Sequence, residues 1–280
     1  MPTPVACDRV PLLGLERIEA VGPSFSAARA QLYCAIFGPV TAIRAVGVFA
    51  REQDDKADWL GTAFAFRDGS HYLTASHCVP DGLPSGLTVS LPSGVAGMGF
   101  VGHVRSFVRH PIADLAVLMV EGDPPGSIED AAEPFRTVGF AGQEMAEEFL
   151  AFGYPMSREP APTFPGIGPT MRVFVGHYQR TFLYREGGYE FEAAELSIPA
   201  PEGLSGAPVF NRERRSEVQA VVSWNHEERT ERVREETITA PGHKQTLAVD
   251  SIVSYGIAVL LDPLRDWLDE HVPIPARLVE

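Results

Sequence analysis

The stretch Glu202-Gly203-Leu204-Ser205-Gly206-Ala207-Pro208-Val209-Phe210 sets one serine between two glycines and then runs into a proline and an apolar segment. Such a chain bends sharply at the serine, because glycine reaches backbone angles closed to other residues, and then straightens into a strand. Gly206 is expected to keep the approach of a bound chain clear. The bend can also turn the N–H groups of Gly203 and Ser205 toward one point, where a developing oxyanion would gain roughly 10²–10³ in rate per donor. Gly-x-Ser-Gly occurs in plain turns as well, so the stretch acquires meaning only from what else the chain carries.

Two other segments supply that meaning. Tyr72-Leu73-Thr74-Ala75-Ser76-His77-Cys78-Val79 is a β-like run ending in a histidine. His110-Pro111-Ile112-Ala113-Asp114-Leu115-Ala116-Val117-Leu118-Met119-Val120 sets an aspartate at the mouth of an apolar strand. A serine hydroxyl is a poor nucleophile until an imidazole takes its proton, and that imidazole needs a carboxylate to fix its tautomer and stabilise its charge. His77, Asp114 and Ser205 are therefore the candidate catalytic residues. His71, His103 and His110 lie near the same segments, and His110 is the strongest rival base, although it sits beside Pro111 at a strand entry. Asp55, Asp58 and Asp68 fall in polar, turn-like stretches and suit solvent better than an imidazole.

In order and local setting these segments resemble the chymotrypsin/trypsin-like serine endopeptidases, most closely their small bacterial members. Gly61-Thr62-Ala63-Phe64 with Thr74-Ala75-Ser76-His77-Cys78 is similar to the family's strand pair and histidine motif. Asp114-Leu115-Ala116-Val117-Leu118 is similar to its aspartate strand, and Gly203 to Pro208 to its Gly-Asp-Ser-Gly-Gly-Pro. Val222-Ser223-Trp224 resembles the strand lining the substrate groove. The resemblance covers about Val46 to Leu268. It implies an all-β fold of two six-stranded antiparallel β-barrels with a C-terminal helix, and hydrolysis of peptide bonds through an acyl-enzyme. The alternative is a catalytically silent trypsin-like module that only binds peptides. An esterase of unrelated fold is disfavoured, because here the serine follows the histidine and the aspartate.

The resemblance also assigns substrate-binding residues. Ser223, Trp224 and Asn225 would pair with a substrate strand, with the Ser223 hydroxyl donating to Asp114 and Trp224 walling the groove. Pro199 and Ala200 stand near the base of the primary pocket. No acid lies there to receive Lys or Arg, and Asn225 replaces a glycine at the pocket mouth, so a small or apolar residue before the cleaved bond is expected. The family's aspartate before the serine, which pairs with a new N-terminus on activation, is here Leu204. Activation by N-terminal trimming is thus not expected, which leaves an oxyanion loop ordered by the chain itself or by a regulatory protein partner. Secreted members pair the cysteine after the histidine with one that falls near Leu60, so Cys78 is expected to be a free, buried thiol.

The chain has 280 residues with 26 glycines and 24 prolines, and its apolar runs are short, which favours strands joined by turns over a helix bundle. A formal net charge of −14 argues against nucleic-acid binding. Three cysteines, an odd and sparse count, suit a reducing compartment. No Cys or His pair stands at ligand-like spacing, so neither a metal nor another cofactor is expected. Asp8, Arg9, Glu16, Arg17 and Glu19 break up the beginning of the chain, where an export signal would be apolar. The early apolar stretch from Tyr33 to Ala50 is interrupted by Gly38-Pro39 and Arg44, so no membrane anchor is expected. A cytoplasmic protease acting on protein or peptide substrates is the resulting expectation.

Three regions are expected: an N-terminal extension over 1–44, a first barrel over 45–125 with His77 and Asp114, and a second over 126–280 with Ser205. The extension, with a short helix from Ser24 to Ile36, reads as a strap across the barrels or a removable propeptide. Leu204 favours the strap. Gly122-Asp123-Pro124-Pro125-Gly126 and the acidic segment after it read as the connector between barrels. A terminal helix over 262–271 is expected to start at Asp262 as cap and Pro263 as first residue, burying Leu264, Trp267 and Leu268. The mixed-charge run from Asn225 to Glu236 reads as a solvated loop, with a partner or substrate contact as the alternative.

Overall fold

A computed structural model describes residues 46–53, 56–82, 86–91, 100–121, 137–139, 146–155, 171–211, 217–240 and 243–274. The N-terminal extension, Cys7, Cys34 and the connector over 122–136 lie outside them.

The alternation of side chains along the strands sends one residue in two into a barrel and the other into the layer between barrels. In β1 (Val46–Gln53), β2 (Lys56–Ala65), β3 (His71–Thr74), β4 (Leu87–Leu91), β5 (Phe100–Arg109) and β6 (Ala116–Glu121), the first set fills one interior. Phe49, Ala63, Ala65, Tyr72, Leu87, Val89, Ala116 and Leu118 pack there, while the intervening Phe64, Leu73 and Val117 join a different apolar cluster. Period-two alternation with both faces buried is what a strand in a closed barrel covered by a second layer requires. The strands close in the order β1-β2-β3-β6-β5-β4.

The same division recurs in β8 (Glu148–Gly153), β9 (Arg172–Glu186), β10 (Tyr189–Leu196), β11 (Pro208–Phe210), β13 (Ala220–Ala240) and β14 (His243–Leu260). Phe149, Ala151, Val209, Ala220 and Val222 point into the second interior, and Leu150, Phe152, Phe210 and Val221 into the shared layer. These strands close as β10-β14-β13-β11-β8-β9. Two short strands, β7 (Thr137–Val138) and β12 (Glu217–Val218), pair in parallel beside the barrels. The expected double barrel is thus the observed architecture.

The helix forms later than expected. Asp262–Leu264 is a 3-10 turn and the α-helix, α1, covers Arg265–His271. Asp262 makes no side-chain cap, because its carboxylate is engaged by the Arg265 guanidinium instead. Leu268 is fully buried, with Leu264 and Trp267 packed on the shared layer as their common face predicts. The other end of α1 is held by the first barrel: Arg67, itself buried, donates to the carbonyls of Leu268 and Val272 and pairs with Asp269. A cation at a helix C-terminus satisfies carbonyls that have no intrahelical partner.

The larger departure is the mixed-charge run. The segment from Asn225 to Glu236 is the middle of β13 and pairs with β14 as far as Ala240 and His243. Nothing apolar alternates there, so pattern gave no strand. The pairing instead follows from two strands already set side by side in the barrel, which zip onward past its rim.

Candidate active site

β3 ends at Thr74, and a 3-10 turn over Ser76–Cys78 then carries His77 out of the first barrel. Asp114 closes the turn before β6 and is fully buried. The two meet: His77 Nδ1 lies 2.7 Å from Asp114 Oδ2, and the His77 backbone N–H donates to Asp114 Oδ1 at 2.9 Å. The Ser223 hydroxyl, from β13 of the second barrel, donates to the same carboxylate. Burial alone would raise the Asp114 pKa, but these bonds and the His77 charge hold it below the usual carboxylate value. For His77, burial disfavours the charged ring. The hydrogen bond to Asp114, the adjacent Cys78 sulfur and the carboxylate charge outweigh it and raise the pKa. The pair therefore favours a carboxylate that stays charged and stabilises the protonated form of the ring.

Ser205 sits where the sequence places it, on a tight loop between Pro201 and β11. Leu204 N–H donates to the Pro201 carbonyl at 3.0 Å, and Gly203 has φ of 86°, the left-handed angle that the third position of a type II turn demands. The amides of Gly203 and Ser205 donate to no backbone carbonyl among the described residues. Leu204 is fully buried with Ala207 and Val209, so apolar packing anchors this loop where an ion pair would otherwise do so. The Ser205 hydroxyl donates to the Ser223 carbonyl at 2.9 Å, and it makes no hydrogen bond with the His77 ring. Trp224 stacks on that ring, with centroids 4.3 Å apart and planes 24° from parallel.

Gly206 does something other than clear the way for a bound chain. It has φ of 87°, and a Cβ there would lie 2.0 Å from the Thr62 carbonyl oxygen and 2.4 Å from Thr74 Oγ1. The residue is wedged against the first barrel, and its missing side chain lets the two barrels touch beside the serine. Of the two residues expected near the base of the primary pocket, Ala200 is buried with the core cluster of the second barrel and Pro199 is exposed. Asn225 Oδ1 accepts from the Ala200 N–H at 3.0 Å, and Gly256 pairs with Asn225 directly across the ribbon.

A model of the trypsin-like peptidase domain matches residues 61–221. The chain belongs to the trypsin-like peptidase family. Family membership implies protein or peptide substrates. Among solved structures, the apo MamO protease domain from Magnetospirillum magneticum aligns with a TM-score of 0.56 at 15% identity, over 81% of this chain and 97% of that one. Mouse neuropsin, a serine protease, gives a TM-score of 0.53 at 12% identity, over 82% and 94%. The HtrA-type protease AlgW with a decapeptide gives 0.51 at 15% identity, over 81% of this chain and 64% of that one. At such identities these likenesses bear on the fold. No curated protein matches the chain.

Two supports in this family member escape a sequence reading. Thr62, fully buried in β2, donates its N–H to the Ser205 carbonyl at 2.8 Å and its hydroxyl to the Gly203 carbonyl at 2.9 Å. Its hydroxyl oxygen also accepts from Tyr154 N–H at 3.0 Å. One first-barrel residue thus clamps both ends of the serine loop. Thr62→Val keeps the shape but leaves polar groups unpaired. We expect a loss of about 1–3 kcal/mol of stability. If the loop also shifts, kcat should fall about tenfold to 10²-fold. Urea unfolding and peptide hydrolysis measure both, and unchanged kcat would mean the loop is ordered without the clamp.

The second support is His110, the rival base. Its Nδ1 accepts from the Ala113 N–H at 2.8 Å, and its ring stands edge-on to Trp267 with centroids 4.9 Å apart. Burial, then the nearby His271 charge, lower its pKa and keep it a neutral acceptor. It braces the turn that carries Asp114. Cys78, the one cysteine among the described residues, is buried as expected in the cluster against which Leu60 packs, and its Sγ lies 3.9 Å from the Ser205 carbonyl oxygen.

Proposed function

We propose that the chain is a serine endopeptidase that cuts peptide bonds through Ser205, His77 and Asp114. The observation that carries this reading is the buried Asp114 carboxylate, which accepts from His77 and Ser223 beside a loop with two amides that donate to no carbonyl among the described residues. Ser205 Oγ attacks the carbonyl carbon while His77 Nε2 takes the hydroxyl proton. Asp114, through Nδ1, fixes the tautomer and stabilises the charged ring. The amides of Gly203 and Ser205 hold the oxyanion. His77 returns the proton to the leaving amine, and water then repeats the sequence on the acyl-enzyme. A substrate strand along β13 would offer an N–H to the Ser223 carbonyl, displacing the Ser205 hydroxyl toward His77.

Labelling by a fluorophosphonate, with Ser205→Ala and His77→Ala as controls, tests this. Wild-type labelling lost in both variants is the expected result, and an unlabelled wild type overturns it. The second reading, a silent peptide-binding module, draws on the Ser205 hydroxyl resting on Ser223 rather than on His77. It predicts that unlabelled outcome.

The residue before the cleaved bond is small or apolar on this reading, which is supported by the Asn225 side chain accepting from the Ala200 N–H where the family resemblance sets the pocket. Asn225→Gly should admit larger side chains, raising their kcat/KM about tenfold or more. A peptide-library cleavage profile reads this out, and a wild-type profile dominated by Lys or Arg rejects it. An intracellular protein substrate is also part of the proposal, and its support is the odd, sparse count of three cysteines in the sequence. Co-purification with a Ser205→Ala trap tests that, and it would equally reveal a regulatory partner acting on the serine loop. Among the described residues no helix is long and apolar enough to cross a membrane.

A further inference from the structure

β13, which carries Ser223, and its partner β14 do not stop at the barrel. β13 pairs with β11 only at Ala220 and Val221, and its next outward bond on that side is the Val222 carbonyl accepting from Gly206 N–H. From Trp224 to Ala240 its paired neighbour among the described residues is β14 alone. On the side away from β14, therefore, β13 has no partner strand among the described residues for roughly 50 Å of its length. This edge begins at Ser223, whose carbonyl holds the Ser205 hydroxyl, and runs outward without a break in the chain.

We propose that this edge, from Asn225 outward, is a docking strand for the part of the substrate chain that precedes the cleaved bond. The inference rests on the protease reading above and extends it. Direction decides which part of the substrate is held. β13 runs from the barrel toward its tip, so an antiparallel partner runs from tip to barrel and delivers its C-terminal end to Ser205. The residues before the cleaved bond then lie along the ribbon. Between its register slips, every second residue of β13 turns its N–H and C=O to the open side, which is the pairing that an added strand needs.

A two-stranded ribbon is marginal in water, and a third strand supplies the pairing it lacks. The register with β14 slips between Val222 and Trp224, between Glu231 and Val233 and between Ile238 and Ala240, and such bulges strengthen the local twist. Near the barrel both faces are open to contact as well. Trp224, Asn225 and His226 are exposed, as are Ile252 and Val253 on β14. Recognition through main-chain bonds tolerates many sequences but demands an extended, unfolded segment of sufficient length.

The test is a series of peptides sharing one cleaved segment, extended on the N-terminal side by roughly four, eight and twelve residues. We expect kcat/KM to rise with length well beyond the first extension, by about tenfold or more in total. N-methylation of single amides in the extension of the longest peptide should weaken cleavage at alternate positions, since only every second residue faces the ribbon. A complementary variant removes 230–251 and closes Arg229 to Ile252 with an Asn-Gly turn. It should lose the length effect and still react with a fluorophosphonate. If it does not react, it has misfolded, and the N-methylated peptides on the intact protein decide. A flat length series, or N-methylation without alternation, overturns the proposal while labelling leaves the protease reading standing. Self-association would also overturn it, seen as a length effect that changes with enzyme concentration together with a dimer in sedimentation. No labelling and no cleavage of any peptide would mark failure of the protease reading itself.

Discussion

Ser205→Ala is expected to lower kcat for peptide hydrolysis by a factor on the order of 10⁶, and His77→Ala by nearly as much. The double variant should be scarcely worse than either alone. Attack needs the hydroxyl and the imidazole together, so removing one leaves the other without a task. What survives is stabilisation from the Gly203 and Ser205 amides, which need neither side chain. Asp114→Asn should remove less, because the ring remains in place while losing the charge that favours its protonated form. Single-turnover hydrolysis of a peptide ester measures all four variants. Additive losses in the double variant would mean that the two residues do not act on one proton.

Gly206→Ala should be the most damaging single methyl in the described part of the chain. Its Cβ would fall 2.0 Å from the Thr62 carbonyl oxygen, a backbone atom held in β2, so relief requires the barrels to move apart. The positive φ adds about 1–2 kcal/mol of strain. Overpacking typically adds about 1–3 kcal/mol. We expect a total of about 2–5 kcal/mol, with loss of activity in whatever remains folded, since the shift would carry Ser205 with it. Urea unfolding of the variant measures this. A midpoint near that of the wild type would show that the barrels meet less tightly beside the serine than the structure has them.

These expectations differ in how far the sequence carried them. His77, Asp114 and Ser205 were legible because each sits in a short local setting, and the order of the three settings narrowed the fold. The strands were legible where alternate residues were both apolar but different in size, as in Ala63-Phe64-Ala65-Phe66. The α-helix starts a turn later than the sequence predicts, since the Asp262 side chain engages Arg265. Asn225 to Glu236 resembles a loop in sequence because its charges carry no period, yet it lies within β13.

By itself the sequence determined the chemistry on offer and the local backbone that presents it: a serine on a glycine-flanked bend, an imidazole at a strand end, and an acid at the mouth of an apolar strand. These follow from steric and hydrophobic preferences that act over a few neighbours. Tertiary structure alone decided that Gly206 is an inter-barrel contact, that Thr62 grips the serine loop across 141 positions of sequence, and that Asn225 bridges to Ala200. It likewise decided that a charged run continues a barrel hairpin. Each depends on which surfaces meet once two barrels close, and the distances between those surfaces are not a property of any local stretch of chain.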